Sequence, residues 1–417
     1  MMRVLSDTTW SPRKIWNCFD IVNGATPASG TAHFWDGEIS WVGPADLGKL
    51  SSRVISRGER NLTESGYKSC GTTFVPAGTI ILSARAPIGH VAVAANRLCF
   101  NQGCKGLVPN ADIFGEFAYW LILALKPKLE AAGQGTTFVE LSRSKLKDVT
   151  FLLPPLPEQR AIAAFLDGKC ATIDEAVRIK EEQIRLLAER RQILIQEAVT
   201  SGLNPNAPMK DSGIDWIGQI PAHWVVRRNF ALFQETKNAG NAGLPVLSVS
   251  IHSGVSKEEL SEEENIRSII KIEDRSSYKE VLPGDIAYNM MRAWQGGIGA
   301  VHTHGMVSPA YVVARPFVDL VADYFELLYR TPPFIRQMDA SSKGITDFRK
   351  RLYWDDFRDC LTIVPPKAEQ EEIIRYSSDI SAKFHHAISL KESQITALRE
   401  YKTSLINAAV TGKIKVL

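Results

Sequence analysis

The chain has 417 residues, of which 45% are hydrophobic and 23% are charged, and its formal net charge is +3. This length and composition are typical of a globular protein with two or more domains, and the small net charge excludes a polycation that binds nucleic acid through bulk charge. The longest apolar run, Phe117 to Leu125, is shorter than the roughly 20 residues that span a membrane. The sequence shows no signal-peptide pattern, and its six cysteines are scattered. We therefore expect a cytoplasmic protein with reduced thiols and no membrane partner.

The first segment, residues 1–153, has short apolar runs separated by glycine and proline, which is typical of a strand-rich α/β domain. An amphipathic helix is predicted around Gly115 to Leu125. A polar, glycine-led loop, GQGTTFVELSRSKLKD, follows from Gly133 to Asp148. We expect one more strand before the diproline that begins at Pro154.

The second segment, residues 154–203, is predicted to be one long helix. It begins with PPLPEQRAIAAFLD, and because no proline follows until Pro205 we expect a helix of about 40 residues. Its residues step alternately by four and three along one face, which is the spacing of a coiled-coil seam. The seam consists of Ile173, Val177, Lys180, Ile184, Leu187, Arg191, Leu194 and Ala198.

The third and fourth segments, residues 204–362 and 363–417, repeat the first two. A shift of 211 positions aligns Pro154 to Thr200 with Pro365 to Thr411 without a gap, with 18 identities in 47 positions. The globular segments are fainter copies, in which VPAGTIILSARAPIGHVAVA corresponds to LPGDIAYNMMRAWQGGIGAV. The second seam consists of Phe384, Ile388, Lys391, Ile395, Leu398, Lys402, Leu405 and Ala409.

The repeat predicts the fold class. We expect an α/β (α+β) protein in which two strand-rich globular domains are separated by two long antiparallel coiled-coil helices, duplicated about a pseudo-two-fold axis. The cations at matching seam positions restrict helix register, or their long stems carry the charges outward to water.

Several of these phrases resemble one protein family. LPPLPEQRAIAAFLD before a long helix, and DSGIDWIGQIPAHWVVRR from Asp211 to Arg228 before the second globular domain, resemble the specificity (S) subunit of type I restriction-modification systems. GEISWVGPADL, from Gly37 to Leu47, is similar to a recurring phrase of its target recognition domains. The resemblance covers essentially the whole chain.

The resemblance implies a DNA-binding subunit that is not itself an enzyme. Each target recognition domain would read one half of a bipartite, asymmetric double-stranded DNA site, and the helix pair would set the unread spacer and dock two methyltransferase (M) subunits. No cofactor is expected in this chain, since S-adenosylmethionine, ATP and Mg would bind to the M subunits and to two restriction (R) subunits. The expected docking residues are the uncharged seam residues before each terminal alanine, together with Glu158, Gln159, Glu369 and Gln370.

The DNA contacts implied by the resemblance require cations and amides for guanine and adenine edges, and hydroxyls for phosphates. In the first globular domain the candidates are Lys49, Arg53, Arg57, Arg85, Asn101, Gln102, Lys105, Thr136, Thr137 and Arg143. In the second they are Ser250, His252, Asn289, Arg292, Trp294, Gln295, Lys343, Thr346, Arg349, Lys350 and Arg351. Residues 211–362 carry 17 basic against 20 acidic residues, so DNA would have to bind there through a local patch. Each candidate has a structural alternative, such as a salt bridge, a turn or the core.

Two other classes of function remain open. A stand-alone methyltransferase or nuclease fused to a coiled coil would need a catalytic motif, and the nearest is TPPF at Thr331, which has threonine where adenine methyltransferases have Asp or Asn. A coiled-coil adaptor whose globular domains bind proteins is the second alternative. His302 and His304 lack supporting metal-ligand spacing, so no metal site is expected.

Overall fold

The computed structural model describes residues 10–133, 140–241, 243–257, 277–344 and 350–416. The chain forms two compact units. The first contains Met1–Glu181 with Glu392–Leu417, and the second contains Glu182–Lys391. Each unit therefore contains a strand-rich part together with a portion of both long helices.

The first unit contains ten described strands and six short helices before the first long helix. The strands are β1 Ser11–Lys14, β2 Phe19–Asn23, β3 Trp35–Ile39, β4 Trp41–Val42, β5 Val54–Ile55, β6 Ile80–Ser83, β7 Val91–Ala94, β8 Cys99–Phe100, β9 Cys104–Pro109 and β10 Thr150–Leu153. The helices are α1 Ile15–Cys18, α2 Pro44–Lys49, α3 Glu64–Lys68, α4 Gly115–Ala124, α5 Lys126–Ala132 and α6 Arg143–Lys147.

A five-stranded sheet in the order β2-β9-β6-β7-β5 is the centre of the first unit. All neighbours are antiparallel except β5 and β7, which are parallel. Every residue of β6 is buried, because Ile80 and Leu82 face the cluster that contains α4 while Ile81 faces a second apolar cluster. A strand covered on both faces appears in sequence as a continuous apolar run.

Besides its portions of the two long helices, the second unit contains twelve described strands and three short helices. The strands are β11 Met209–Asp211, β12 Gln219–Pro221, β13 Val225–Arg228, β14 Phe233–Thr236, β15 Val249–Ser250, β16 Gly254–Val255, β17 Lys279–Val281, β18 Ile286–Asn289, β19 Ile298–Ala300, β20 Gly305–Val307, β21 Tyr311–Pro316 and β22 Leu361–Val364. The short helices are α8 Ala322–Tyr329, α9 Pro332–Ser341 and α10 Trp354–Asp359.

The sheet of the second unit has the order β14-β21-β18-β19, which reproduces the order β2-β9-β6-β7 of the first. Again the central strand has two buried faces, since Ile286 and Tyr288 belong to one apolar cluster and Ala287 to another. Antiparallel ribbons, β1 with β10 and β13 with β22, lead to the diproline in each unit. The predicted α/β class with strand-rich domains is confirmed. The predicted boundaries at 153, 203 and 362 stay predictions.

The two long helices are α7, Leu156–Ser201, with 46 residues, and α11, Lys367–Val410, with 44. In the first unit they run antiparallel, because Asp174 contacts Lys402 and Glu181 contacts Arg399. In the second unit the end of α7 packs in the same apolar cluster as Ile373, near the start of α11. Seam residues are buried or half-buried along both helices, as the alternate steps of three and four predict.

The seam cations make specific polar contacts in the first unit. Lys402 Nζ lies 2.6 and 2.7 Å from the two carboxylate oxygens of Asp174, and Lys180 Nζ donates to Gln394 Oε1 at 2.7 Å. The lysine stems therefore lie in the seam while their charges reach polar partners at its edge.

Burial controls the cysteine chemistry. All six cysteines are free thiols, and five of them are buried, whereas Cys70 is partly exposed. Burial raises the pKa of Cys99 and of Cys104 to about 12. Among the described residues, no helix is both long and apolar enough to cross a bilayer.

Candidate nucleic-acid interface

Five of the predicted DNA contacts in the first unit lie on β9, at the start of α6, or on the loops next to them. Arg85 follows β6, Asn101 and Gln102 form the turn between β8 and β9, Lys105 is on β9, and Arg143 opens α6. We call these residues, together with Glu140, the first loop surface.

Backbone hydrogen bonds hold the first loop surface together. The Leu141 amide donates to the Ala84 carbonyl at 2.7 Å, and the Ala84 amide donates to the Gly103 carbonyl at 2.7 Å. Beside them, Arg85 Nε lies 3.1 Å from Glu140 Oε2. The turn after β6 is thereby fixed between the turn before β9 and the end of the glycine-led loop.

Several charged side chains lie around Lys105. Lys105 is only 7% exposed, and burial lowers the pKa of its ammonium group, as do Arg85 and, to a smaller extent, Arg143, while Glu140 opposes the shift. Lys105 therefore has two arginines and one carboxylate as charged neighbours.

The amides of the first loop surface have partly structural roles. Asn101 donates to Thr26 Oγ1 at 2.7 Å and accepts from the Gly103 amide at 2.7 Å, as the alternative of a turn residue predicted. Gln102 is exposed and accepts from the Thr26 hydroxyl. Only Gln102 presents an exposed amide there.

The remaining candidates of the first unit lie elsewhere. Lys49 forms an exposed ion pair with Glu59 at 2.9 Å, and Arg57 is exposed. Arg53 pairs with Asp167 on α7, which also accepts from the indole of Trp120, so it connects the strand-rich part with the long helix. Two further predicted contacts, Thr136 and Thr137, lie outside the described residues.

The second unit has a corresponding group of loops, which we call the second loop surface. It combines Asn289, which ends β18, and Arg292, Trp294 and Gln295, in the turn that follows, with Lys343, Lys350 and Arg351. Two other predicted contacts, Thr346 and Arg349, lie outside the described residues.

Backbone hydrogen bonds again fix these loops. Lys343 and Arg351 exchange two bonds of 2.9 Å, and the Leu352 amide donates to the Met290 carbonyl at 2.9 Å. The Lys350 ammonium lies 5.1 Å from the centre of the Trp294 ring. In both units, therefore, the segment that contains Leu141 or Leu352 is bonded to the turn after the central strand.

Internal partners modify the charges of the second loop surface. Lys350 pairs with Asp339 at 2.6 Å, and Lys343 pairs with Asp356 at 2.8 Å. Arg292 donates to Gln295 at 2.8 Å. Acidic side chains of this unit therefore pair with two of the cations of the second loop surface.

Ser250 and His252 lie on the separate hairpin of β15 and β16. The His252 amide donates to the Ser250 hydroxyl at 3.0 Å, and the His252 carbonyl accepts from Arg330. Asn289 likewise accepts from the Met291 amide at 3.0 Å. These polar groups stabilise turns, and DNA contact by any of the predicted residues stays a prediction.

The Glu-Gln pair at the start of each long helix has an intramolecular role. Gln159 and Gln370 are 0% and 2% exposed. The Gln159 side chain accepts from the Phe114 amide at 2.7 Å, and the Gln370 side chain accepts from the Val321 amide at 2.9 Å. Each glutamine also donates to the carbonyl of the first proline of its diproline, at 2.9 Å. We call these two arrangements the glutamine clamps.

The neighbouring glutamates each hold a tryptophan. Glu158 accepts from the Trp10 indole, and Glu369 accepts from the Trp224 indole, both at 2.9 Å. His223 also contacts Glu369 at 2.8 Å. The buried glutamine amides therefore join each long helix to the strand-rich part of its unit. Docking of the glutamines and glutamates to a partner protein stays a prediction.

Sequence reasoning missed three features of these sites: Glu140, Thr26 and the tryptophan contacts. The repeated spacing W-x-x-R, Trp10 to Arg13 and Trp224 to Arg227, was a usable signal for the tryptophans. Glu140 carried no such signal, because a lone carboxylate in a polar loop is ordinarily a solvated group.

The TPPF segment and the paired histidines are structural. Thr331 precedes α9, in which the two prolines occupy the first turn, where their missing amide protons cost nothing. His304 contacts Glu280 at 3.0 Å, whereas His302 contacts Asp323 at 3.3 Å, near Glu326. Because Arg330 and the Ala300 amide already donate to Glu326, that carboxylate is a poor metal ligand.

Similar structures share the fold over nearly the full length. A chain from a structure described as the basis of complex assembly and conformational transition of the type I R-M system matches with a TM-score of 0.66 at 14% identity, covering 99% of both chains. The HsdS subunit from Thermoanaerobacter tengcongensis matches with a TM-score of 0.54 at 15% identity, covering 98% of both chains. At these identities the likeness shows the fold alone.

The chain spans less than two thirds of the length of two sequence relatives that it matches. The specificity subunit of the type I restriction enzyme MjaIX from Methanocaldococcus jannaschii is 37% identical over 180 residues, which are 43% of this chain and 41% of the relative. The EcoKI specificity subunit from Escherichia coli strain K12 is 23% identical over 316 residues, 70% of this chain and 65% of that one. A profile of the type I restriction modification DNA specificity domain matches residues 8–185. Residues 8–185 are therefore similar to the type I restriction modification DNA specificity domain, and the predicted resemblance to type I specificity subunits is confirmed.

Proposed function

We propose that this chain is the DNA-sequence-specificity subunit of a type I restriction-modification complex. The observation that carries the proposal is the duplicated loop surface. In each unit, the bond from Leu141 to Ala84, or from Leu352 to Met290, brings cationic and amide side chains together beside the central sheet. Cations and amides on loops held by a rigid sheet are the groups that read base edges.

The chain would act with partners that perform the chemistry. Each unit would read one half of a bipartite DNA site, and the helix pair would set the spacer. Two M subunits would supply methyl transfer with S-adenosylmethionine, and two R subunits would supply ATP- and Mg-dependent cleavage. The relatives' description as specificity subunits supports a non-catalytic role for this chain.

An exposed apolar row on α7 supports docking of an M subunit. Ile179, Leu186 and Ile193, spaced by seven residues, are 44%, 49% and 40% exposed and lie outside the seam. A row with heptad spacing is suited to packing against another helix. At the matching positions α11 has Leu390, Ala397 and Ser404, so the outer faces of the two repeats are not identical.

DNA binding by the second loop surface is tested with the double variant Lys350→Ala and Arg351→Ala in the complex with M. If both cations contact phosphates, the slope of log affinity against log salt should flatten by up to about 1.8, since each contact contributes about 0.9. The matched control is Arg228→Ala with Arg358→Ala, two exposed cations of the same unit outside the surface. An equal slope for the test variant and wild type would remove this patch from the interface.

The spacer role is tested by inserting seven residues into both α7 and α11. One heptad preserves the seam and adds roughly 10 Å to each helix, which is about three base pairs. The methylated motif of a host carrying this variant should keep both half-sites and gain about three base pairs between them. An unchanged spacing would show that the helices do not set it.

A further inference from the structure

Arg85 and Glu140 form an ion pair on the first loop surface. Their side chains are 47% and 37% exposed, and Arg85 Nε lies 3.1 Å from Glu140 Oε2. The backbones are also adjacent, since Arg85 and Glu140 form an isolated antiparallel bridge. Backbone bonds thus fix where both side chains begin, while the exposed ion pair itself is weak and readily exchanged for other partners.

The two groups complement the major-groove edge of a G·C base pair. Guanine presents two acceptors, N7 and O6, to which arginine donates with two bonds, and cytosine presents the N4 amino donor, for which a carboxylate is an acceptor. A guanidinium beside a carboxylate therefore places donors opposite guanine N7 and O6 and an acceptor opposite the cytosine amino group. An A·T pair, with one acceptor and one donor on adenine, leaves the arginine fork partly unsatisfied.

The residues around Arg85 and Glu140 favour a role of this ion pair in DNA contact. Lys105 has Arg85, Arg143 and Glu140 as charged neighbours, so this part of the unit has a positive balance, which offsets repulsion between a carboxylate and phosphates. Exposed Gln102 lies on the adjoining turn, and the Arg85 stem lies near Gly103, where an added Cβ would be 3.4 Å from Arg85 Cδ. The pair therefore belongs to a continuous polar surface.

The second unit differs at the corresponding place. Leu352 corresponds to Leu141 in the repeat and makes the matching backbone bond, but the residue before it is Arg351 instead of a glutamate. The residue that follows Met290, in the position of Arg85, is Met291. The arginine with carboxylate arrangement is thus specific to the first unit.

We propose that Arg85 and Glu140 together read one G·C base pair in the half-site of the first unit. This inference rests on the proposed function and adds the class of base pair that the unit recognises. In the free protein the two side chains neutralise each other, and on DNA they turn to the guanine and cytosine of one pair.

The test is selection of binding sites from randomised duplexes, using the full chain in complex with M. Wild type should select a bipartite motif that includes a G·C pair favoured about five- to 140-fold over other pairs. Arg85→Ala and Glu140→Ala should each relax that same position and leave the other positions and the second half-site unchanged. Arg85→Lys should retain part of the guanine preference, because lysine also donates to O6 and N7.

The control is Asp148→Ala, which removes a carboxylate from another exposed ion pair of the same unit, with Lys14 at 2.9 Å. This variant should select the wild-type motif. If wild type selects a bipartite motif but the Arg85 and Glu140 variants leave it intact, or relax different positions, the inference fails while the proposed function stands. If wild type selects no specific duplex, the proposed function fails as well.

Discussion

Replacing Gln159 by alanine tests the glutamine clamp of the first unit. The side-chain amide accepts from the Phe114 amide at 2.7 Å and donates to the carbonyls of Asp112 and Pro154 at 3.0 and 2.9 Å. Truncation leaves these backbone groups without their partner in a site where Gln159 is 0% exposed. At about 1–3 kcal/mol for each unsatisfied buried group, and with water replacing some of the bonds, we expect a loss of about 2–5 kcal/mol in the free energy of unfolding.

Urea denaturation of the full chain, followed by tryptophan fluorescence, measures this loss as a lower midpoint at unchanged slope. Hydrogen exchange should show faster opening at the start of α4, where Phe114 is the residue before the helix. Gln183→Ala, at an exposed position of the same helix, is the control and should change stability by less than about 0.5 kcal/mol. If Gln159→Ala costs no more than Gln183→Ala, the clamp does not hold α7 to the strand-rich part.

Three further predictions concern charges and thiols. Asp285, which is 2% exposed, accepts two hydrogen bonds of 2.9 and 2.8 Å from Arg315. Arg315→Leu removes both and should lower the free energy of unfolding of the second unit by about 3–5 kcal/mol in urea titrations. A loss below about 1 kcal/mol would contradict this. Burial raises the pKa of Cys104 to about 12, so the unfolded thiol loses its proton near pH 9 while the native thiol keeps it. The free energy of unfolding should therefore fall as the pH rises above about 9. Urea titrations at pH 8.5 and 10.5 should show a smaller fall in Cys104→Ala than in wild type, and an equal fall would refute the assignment. Lys402, a seam residue, pairs with Asp174 at the edge of the seam. Exchanging the two charges, with Lys402→Asp and Asp174→Lys, should recover most of the roughly 0.2–1 kcal/mol that each single variant loses. A double-mutant cycle without coupling would show that the pair does not set register.

The long helices were predictable because their signals are local. The absence of proline after the diprolines and the alternating steps of the seam give both helices, and Ile173 and Ile395 are buried as the seam requires. Each helix is longer than about 40 residues because it begins within two residues of the diproline, at Leu156 and Lys367. Sheet order could not be read in this way, since strands such as β2 and β9 pair across some 80 intervening residues.

The grouping of the candidate residues could be predicted only in part. Side-chain chemistry points to the cations Arg85 and Lys105, whose contact with DNA stays a prediction, but it gives no reason to choose Glu140, which matters only through its position beside Arg85. The duplicated glutamines, Gln159 and Gln370, suggested docking because identity between repeats does not distinguish an exposed side chain from an enclosed one. Burial and bond geometry make that distinction, and they connect both glutamines to the backbone of their own unit.

The loop bonds from Leu141 to Ala84 and from Leu352 to Met290 have a consequence for evolution. Both join an amide to a carbonyl of the main chain, so every residue type except proline can form them. Side chains on either side, such as Arg85 or Arg351, can then be replaced without loss of the bond that positions them. On the proposed function, new DNA specificities would arise by single substitutions at little cost in folding stability. Leu141, which is fully buried in the core, is restrained by packing.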